Sequence, residues 1–300
     1  MIQPSKLVPG STIGILCPAG AIPMEKVTIC AQVLASWGYQ VCIGKTVGTQ
    51  FGHFAASDLD RQNELQSMMD DPEIHAILCA RGGYGLSRIV TQLDFTKIKA
   101  HPKWVIGFSD ITILHAALQK HGIQSIHGPM SAAFGKGDAG LPYIMALKQM
   151  LEGTAQPVSH NPHPANRLGH SEGVLVGGNL CLMTHLIGSK NQLDTKGKIL
   201  CIEDVGEHHY NVDRMLIQCK NAGLLDGLAG LVVGGFTEMK DEAAEFGETV
   251  IEIILRLTKG ATYPICFDFP ISHELNNMPV QLGANYQLAV TDKAALLTKI

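Results

Sequence analysis

Three features of this chain predict an α/β protein built on a parallel sheet. Short apolar runs alternate with helically spaced apolar residues through the first half, and glycine-rich turns recur where those runs end. Of the 300 residues, 46% are hydrophobic, which is enough for a sizeable buried core. Thr12–Cys17, Tyr39–Ile43, Ile74–Ala80, Trp104–Gly107 and Gln124–His127 read as strands. Helical spacing occupies 23–37, 58–70, 85–94 and 110–121, with a further stretch at 140–151. Leu65, Met68 and Met69 mark one helical face, and methionines so placed pack a core. Strand–helix alternation of this kind implies right-handed crossovers that cover the sheet on both faces.

The texture changes after residue 155. Gln156–Asn166 holds three prolines and no apolar period, so 156–170 reads as a linker between a domain at 1–155 and another at 171–300. His160 and His163 lie there without partners at metal-binding spacing. Beyond it, Gly173–Asn179 is a strand meeting a helix start, and Lys198–Ile202 a strand ending in Glu203 and Asp204. Val212, Met215, Leu216 and Cys219 share a helical face, as do Val250, Ile253, Ile254 and Leu257, with a strand at Leu231–Val233 between. After Phe269-Pro270 the chain reads as loop and then short strands. There is no internal repeat.

Charge and composition exclude several classes of function. The formal net charge is -4 and the basic residues are scattered, so neither nucleic acid nor a membrane surface is an expected partner. The segment after Lys6, Pro4 and Pro9 is too short for a signal peptide, and no apolar run approaches a bilayer's thickness. A cytoplasmic setting is expected. Eight cysteines with no CxxC pair suit small core hydrophobes, with Cys79, beside a glycine-rich turn, as the one candidate thiol nucleophile. Arg81-Gly-Gly-Tyr-Gly85 lacks the third glycine of a dinucleotide fingerprint, and no P-loop is present. His273-Glu274 does not continue into a zinc-protease motif, and His208-His209 are poorly placed as a metal pair. No cofactor and no metal are expected.

Three polar residues remain at the ends of predicted elements. Ser109 falls on the turn between strand Trp104–Gly107 and the helix after it. Such a turn can expose a hydroxyl beside unpartnered helix N–H groups, or the serine can simply cap the helix with Asp110 favouring its positive end. Glu203 ends a strand, and His273 sits in a proline-flanked loop. An imidazole that takes the serine proton and a carboxylate that orients the imidazole would complete a nucleophilic site. Spacing alone leaves this open against a cap, a solvated acid and a surface histidine.

Taken in order, the segments resemble the LD-carboxypeptidase family of cytoplasmic serine peptidases, which includes muropeptide carboxypeptidases and microcin C immunity peptidases. The resemblance covers Cys17-Pro18, Arg61, Asp71-Pro72, Ala80 to Gly85, Gly107 to Asp110 and His127-Gly-Pro129. It continues through Gly177 to Leu180, Ile202 to Asp204, Glu207, Tyr210, Asp213, Arg214, His273, Pro279 and Gly283. It implies a parallel-sheet N-terminal domain like that of class I glutamine amidotransferases, a smaller mixed α/β C-terminal domain, and a homodimer. It also implies a triad of Ser109, Glu203 and His273. The backbone amides of Asp110 and Gly83, or of its neighbour Gly82, would form the oxyanion hole. Ser272 stands where the family usually has glycine. Arg81, Tyr84 and Asn179 are candidate substrate contacts, with Arg81 and the helix start after Gly177-Gly178 as candidates for holding a terminal carboxylate.

The expected activity is a serine L,D-carboxypeptidase that releases D-alanine from muropeptide tetrapeptide stems in cell-wall recycling. A peptidase of acyl-adenylate toxins such as processed microcin C is the alternative within the family. An inactive peptide-binding module is the alternative from another class.

Overall fold

Apolar runs become strands throughout a computed structural model that describes Met1–Ile300. In chain order these are β1 (Thr12–Leu16), β2 (Gln40–Ile43), β3 (Ala76–Cys79), β4 (Trp104–Gly107), β5 (Ser125–His127), β6 (Val158–His160) and β7 (Gly169–Asn179). They continue as β8 (Ile199–Val205), β9 (Gly230–Thr237), β10 (Ile265–Cys266), β11 (Val280–Leu282), β12 (Asn285–Val290) and β13 (Ala295–Lys299). The chain divides into two compact units, Met1–Gln156 with Met278–Leu282, and Pro157–Asn277 with Gly283–Ile300.

In the first unit the strand order is β11-β5-β4-β3-β1-β2. β1 to β5 run parallel, and β11 pairs antiparallel with β5. Every residue of β3 and β4 is buried, as central parallel strands covered on both faces must be. β2, at the edge, is mostly exposed. Helices Met24–Ser36, Asp58–Asp70, Thr112–Lys120 and Leu141–Leu151 cover the sheet. The single helix expected over 85–94 is instead a four-residue helix, Leu86–Ile89, followed by a 3-10 turn.

The second unit holds a seven-stranded mixed sheet, β10-β9-β8-β7-β12-β13-β6. β7 to β10 are parallel, while β12, β13 and β6 are antiparallel to their neighbours. β7 serves both regimes, pairing with β12 along its first half and with β8 along its second. Residues 158–160, read above as linker, form the edge strand β6 on β13. Only Val158 of that strand is buried, so no apolar alternation could announce it. All eight cysteines are free thiols; six are buried, Cys181 is half-buried and Cys42 is exposed on β2.

Candidate active site

In the first unit, β4 ends at Gly107, Phe108 is extended, and Ser109 opens a 3-10 turn that leads into helix Thr112–Lys120. Ser109 holds φ +64°, a left-handed conformation that few non-glycine residues adopt. The reversal turns its side chain out of the strand line. A glycine loop is packed directly against it: a Cβ on Gly82 would lie 2.9 Å from Ser109 Cβ and 3.1 Å from Ser109 Oγ. Gly82 O accepts from Gly20 N–H at 2.8 Å, tying that loop to the one after β1.

Two buried side chains hold the glycine loop, one to the Ser109 turn and one to the loops after β1 and β2. Asp110 Oδ2 accepts the Leu86 N–H at 2.8 Å, so the acid that follows Ser109 caps the helix after the glycine loop. Arg61, fully buried, donates to Pro18 O at 2.6 Å, Gly85 O at 3.2 Å and Ala56 O at 3.2 Å, and pairs with Asp58. Its guanidinium lies 5.0 Å from the centroid of the Phe54 ring. Sequence reasoning found neither role. A lone arginine on an otherwise polar helix looks like a solvated face, and only the fold shows it enclosed.

The surroundings of the neighbouring side chains set what each can do. His115 is buried, and its Nε2 donates to Gly107 O at 2.9 Å; burial pulls its pKa down to about 4, so it is a neutral strut at the end of β4. Burial pushes the Cys79 thiol far above its usual range, which removes it as a nucleophile. Arg81 is exposed and donates to Ala21 O, while Tyr84, 46% exposed, leans on Phe54. Arg81 and Gly83 line a cavity of about 410 Å³ with Gly20–Pro23 and the loop carrying His53.

In the second unit, Glu203 lies near the end of β8 and is wholly buried. Its Oε2 accepts a hydrogen bond from His273 Nδ1 at 2.5 Å. Burial lowers the His273 pKa, but the hydrogen bond and charge of Glu203, with Asp204 and Glu238 farther off, outweigh it and leave the group above 6.5. Of the three acids at this strand end, Glu203 alone reaches that imidazole. Asp204 accepts from Asn179 Nδ2 and Cys181 N at 2.9 Å and from Val205 N at 2.8 Å; burial raises its pKa to about 6. Glu207, in the loop after β8, accepts from Asn211 Nδ2 at 2.9 Å.

The loop bearing His273 rests on a glycine pair that the sequence reading passed over. A Cβ on Gly234 would fall 2.0 Å from Ile271 O, and one on Gly235 2.6 Å from Ser272 Cβ. Gly235 N–H donates to Ile271 O at 2.9 Å. The signal was present as two glycines in a run that should otherwise continue as strand. Ser272 earns its place differently: its hydroxyl donates to Asn276 Oδ1 at 2.8 Å and accepts from Glu274 N–H at 3.1 Å, which shapes the turn at His273.

Two expectations need correcting here. Asn179, expected at the substrate, is 3% exposed, and its Oδ1 caps Leu182 N–H while its Nδ2 serves Asp204. The helix start after Gly177-Gly178 was a candidate carboxylate site. Its Cys181 and Leu182 amides are already taken by Asp204 and Asn179. No three His, Cys, Asp or Glu side chains are grouped to hold a metal ion, and no helix is long and apolar enough to cross a membrane.

Two sheets, with a left-handed serine turn in one unit and a buried acid–imidazole pair in the other, describe a two-unit α/β protein. Residues 13–128 match the model described as the LD-carboxypeptidase N-terminal domain, and residues 172–288 that of the LD-carboxypeptidase C-terminal domain. The chain belongs to the LD-carboxypeptidase family. A Bacillus subtilis protein named "Probable murein peptide carboxypeptidase" is 35% identical over 299 residues, covering 98% of this chain and 94% of its own. The crystal structure of muramoyltetrapeptide carboxypeptidase from Oxalobacter formigenes superposes with a TM-score of 0.86 at 29% identity, covering 96% of this chain and 98% of that one. Microcin C7 self-immunity protein MccF, solved with adenosine monophosphate, gives 0.87 at 22% identity over 100% and 99% of the two chains, a likeness of fold.

Proposed function

We propose that this protein is a serine L,D-carboxypeptidase that removes the terminal D-alanine from the tetrapeptide stem of muropeptides in cell-wall recycling. The observation that carries the proposal is the buried Glu203–His273 hydrogen bond of 2.5 Å, in a chain whose Ser109 turn has the strained form of an exposed nucleophile. Ser109 Oγ attacks the carbonyl carbon of the terminal peptide bond as His273 Nε2 takes its proton. Glu203 holds Nδ1–H and stabilises the imidazolium. The Asp110 and Gly83 amides donate to the tetrahedral oxyanion. His273 then protonates the leaving amine, D-alanine departs, and water hydrolyses the acyl-serine by the same proton route in reverse. Arg81, a candidate for the terminal carboxylate from the sequence, is proposed instead to supply a cation for a carboxylate on the acyl side of the scissile bond, with Tyr84 beside it. The cytoplasm is the compartment proposed, where eight free cysteines stay reduced.

The test is a mass-spectrometric assay of four substrates: a stem tetrapeptide ending in D-Ala, its amidated form, its L-Ala-terminated form, and an aminoacyl-adenylate analogue. Release of D-alanine from the first, with poor turnover of the others, is expected. A site built around polar partners rejects analogues that leave those partners unpaired. Equal cleavage of the amidated peptide would leave a general amidohydrolase, and preference for the adenylate would leave a toxin peptidase.

A further inference from the structure

β1 to β4 are parallel, so the loops that follow them all emerge at one edge of the sheet, where α/β folds bind ligands. Ser109 follows β4, and the loop 44–57 follows β2. With β3 and β1 between them in the sheet, the two lie three strand spacings apart, about 14 Å. The 410 Å³ cavity at Arg81 and Gly83 occupies the interval. It shares Thr49 and Gln50 with a larger cavity of about 680 Å³ walled by the loop after β2 and the start of helix Asp58–Asp70. A carboxypeptidase needs room for only one residue on its leaving side. A groove of this length therefore serves the acyl side, where three residues of a tetrapeptide span about 10 Å when extended.

The larger cavity has the chemistry of a sugar site. Phe51 lines it and is 62% exposed. Its ring is held out by a tight hairpin, with Phe51 N–H to Phe54 O at 2.8 Å and Phe54 N–H to Phe51 O at 3.0 Å about Gly52 at φ +60°. Glu64 pins the loop start by accepting from the Lys45 and Thr46 amides. The same cavity is lined by the exposed polar residues Lys45, Gln50, Asp60 and Asn63. One aromatic face among hydrogen-bonding groups suits a pyranose, whose C–H face stacks on a ring while its hydroxyl and acyl groups bond at the rim.

We infer that the 680 Å³ cavity binds the muramoyl sugar to which the tetrapeptide stem is attached. This inference rests on the carboxypeptidase function proposed above. The full-length enzyme is assayed on N-acetylmuramoyl-tetrapeptide and on the free tetrapeptide of the same sequence, reading the ratio of the two kcat/KM values. The wild type favours the muramoyl substrate roughly tenfold, through KM. Phe51→Ala and Asn63→Ala each bring the ratio toward one, and Phe51→Trp restores it. A wild-type ratio near one, or a ratio that Phe51→Ala leaves intact, overturns the sugar site while the carboxypeptidase stands. Cleavage of neither peptide overturns the carboxypeptidase proposal itself, and the sugar site with it.

Discussion

Ser109 holds a left-handed conformation that costs an L-residue about 1–2 kcal/mol relative to an ordinary one. Stability and chemistry should therefore separate at this position. Ser109→Ala and Ser109→Gly both lose the hydroxyl, and turnover falls by several orders of magnitude in each. Only glycine also relieves the strain, so urea unfolding should find Ser109→Gly more stable than Ser109→Ala by about 1 kcal/mol. Comparable stability of the two would mean that the turn is not strained. The partner pair makes a second prediction. As the proposed base, His273 must be neutral to accept a proton; its pKa is raised from 6.5, so kcat/KM should rise with pH through a midpoint above that value. Glu203→Gln removes the largest of the influences that raise the group, leaving burial, which lowers it, opposed only by Asp204 and Glu238. The midpoint should fall below its wild-type position as kcat drops. The same pairing contributes stability that is full below pH 6.5 and lost as pH rises through the folded pKa. A pH profile that Glu203→Gln does not move would mean that His273 is not the base. Serine, acid and histidine were legible as residue types at element ends, and only the family resemblance selected Glu203 over Asp204. The structure supplies a physical difference between them, since Asp204 is committed to three donors within its unit.

At the scale of elements, strands fix where the site residues start and glycines decide how closely the loops approach. Gly82 is required by its neighbour, because any Cβ there meets Ser109 and Phe108 O at 2.9–3.1 Å. Gly82→Ala should leave a folded protein, since the loop lies at a strand end. A displacement of even 1 Å costs about a hundredfold in rate when reacting groups are misaligned. The expected outcome is a loss of that order in kcat with a near-native circular dichroism spectrum; full activity would show that the loop does not position the nucleophile. Sequence reading located β1, β3, β4 and β5 to within two residues, because central parallel strands are unbroken apolar runs. It missed β6 and the extension of β9 to Thr237, where prolines and glycines interrupt the period. It named the glycines at 82 and 83 but not the pair at 234 and 235, which does for the His273 loop what Gly82 does for Ser109.

Over the whole molecule, the feature least visible in the sequence is the return of β11 to the first unit. Three residues, Val280–Leu282, pair antiparallel with β5 before the chain goes back to the second unit at Gly283. A run of three cannot show a period, and nothing local says which sheet it joins; only the pairing partner does. The consequence is energetic. Val280 and Leu282 are fully buried, and Gln281 donates to Gln124 from within the strand. Two such side chains are worth about 3–6 kcal/mol, against a typical domain stability of about 5–15 kcal/mol. A fragment ending at Gln156 would contain every other strand of that sheet, yet it would expose the β5 edge and the apolar surface that β11 covers. Such a fragment should be much less stable than the first unit in the intact chain, and prone to associate through the open edge. Urea unfolding followed by the fluorescence of Trp37 and Trp104, both in the first unit, with light scattering on the same samples, measures both effects. A monomeric fragment with the unfolding midpoint of the full chain would show that β11 is decoration; the burial of Val280 and Leu282 argues that it completes the sheet on which Ser109 is mounted.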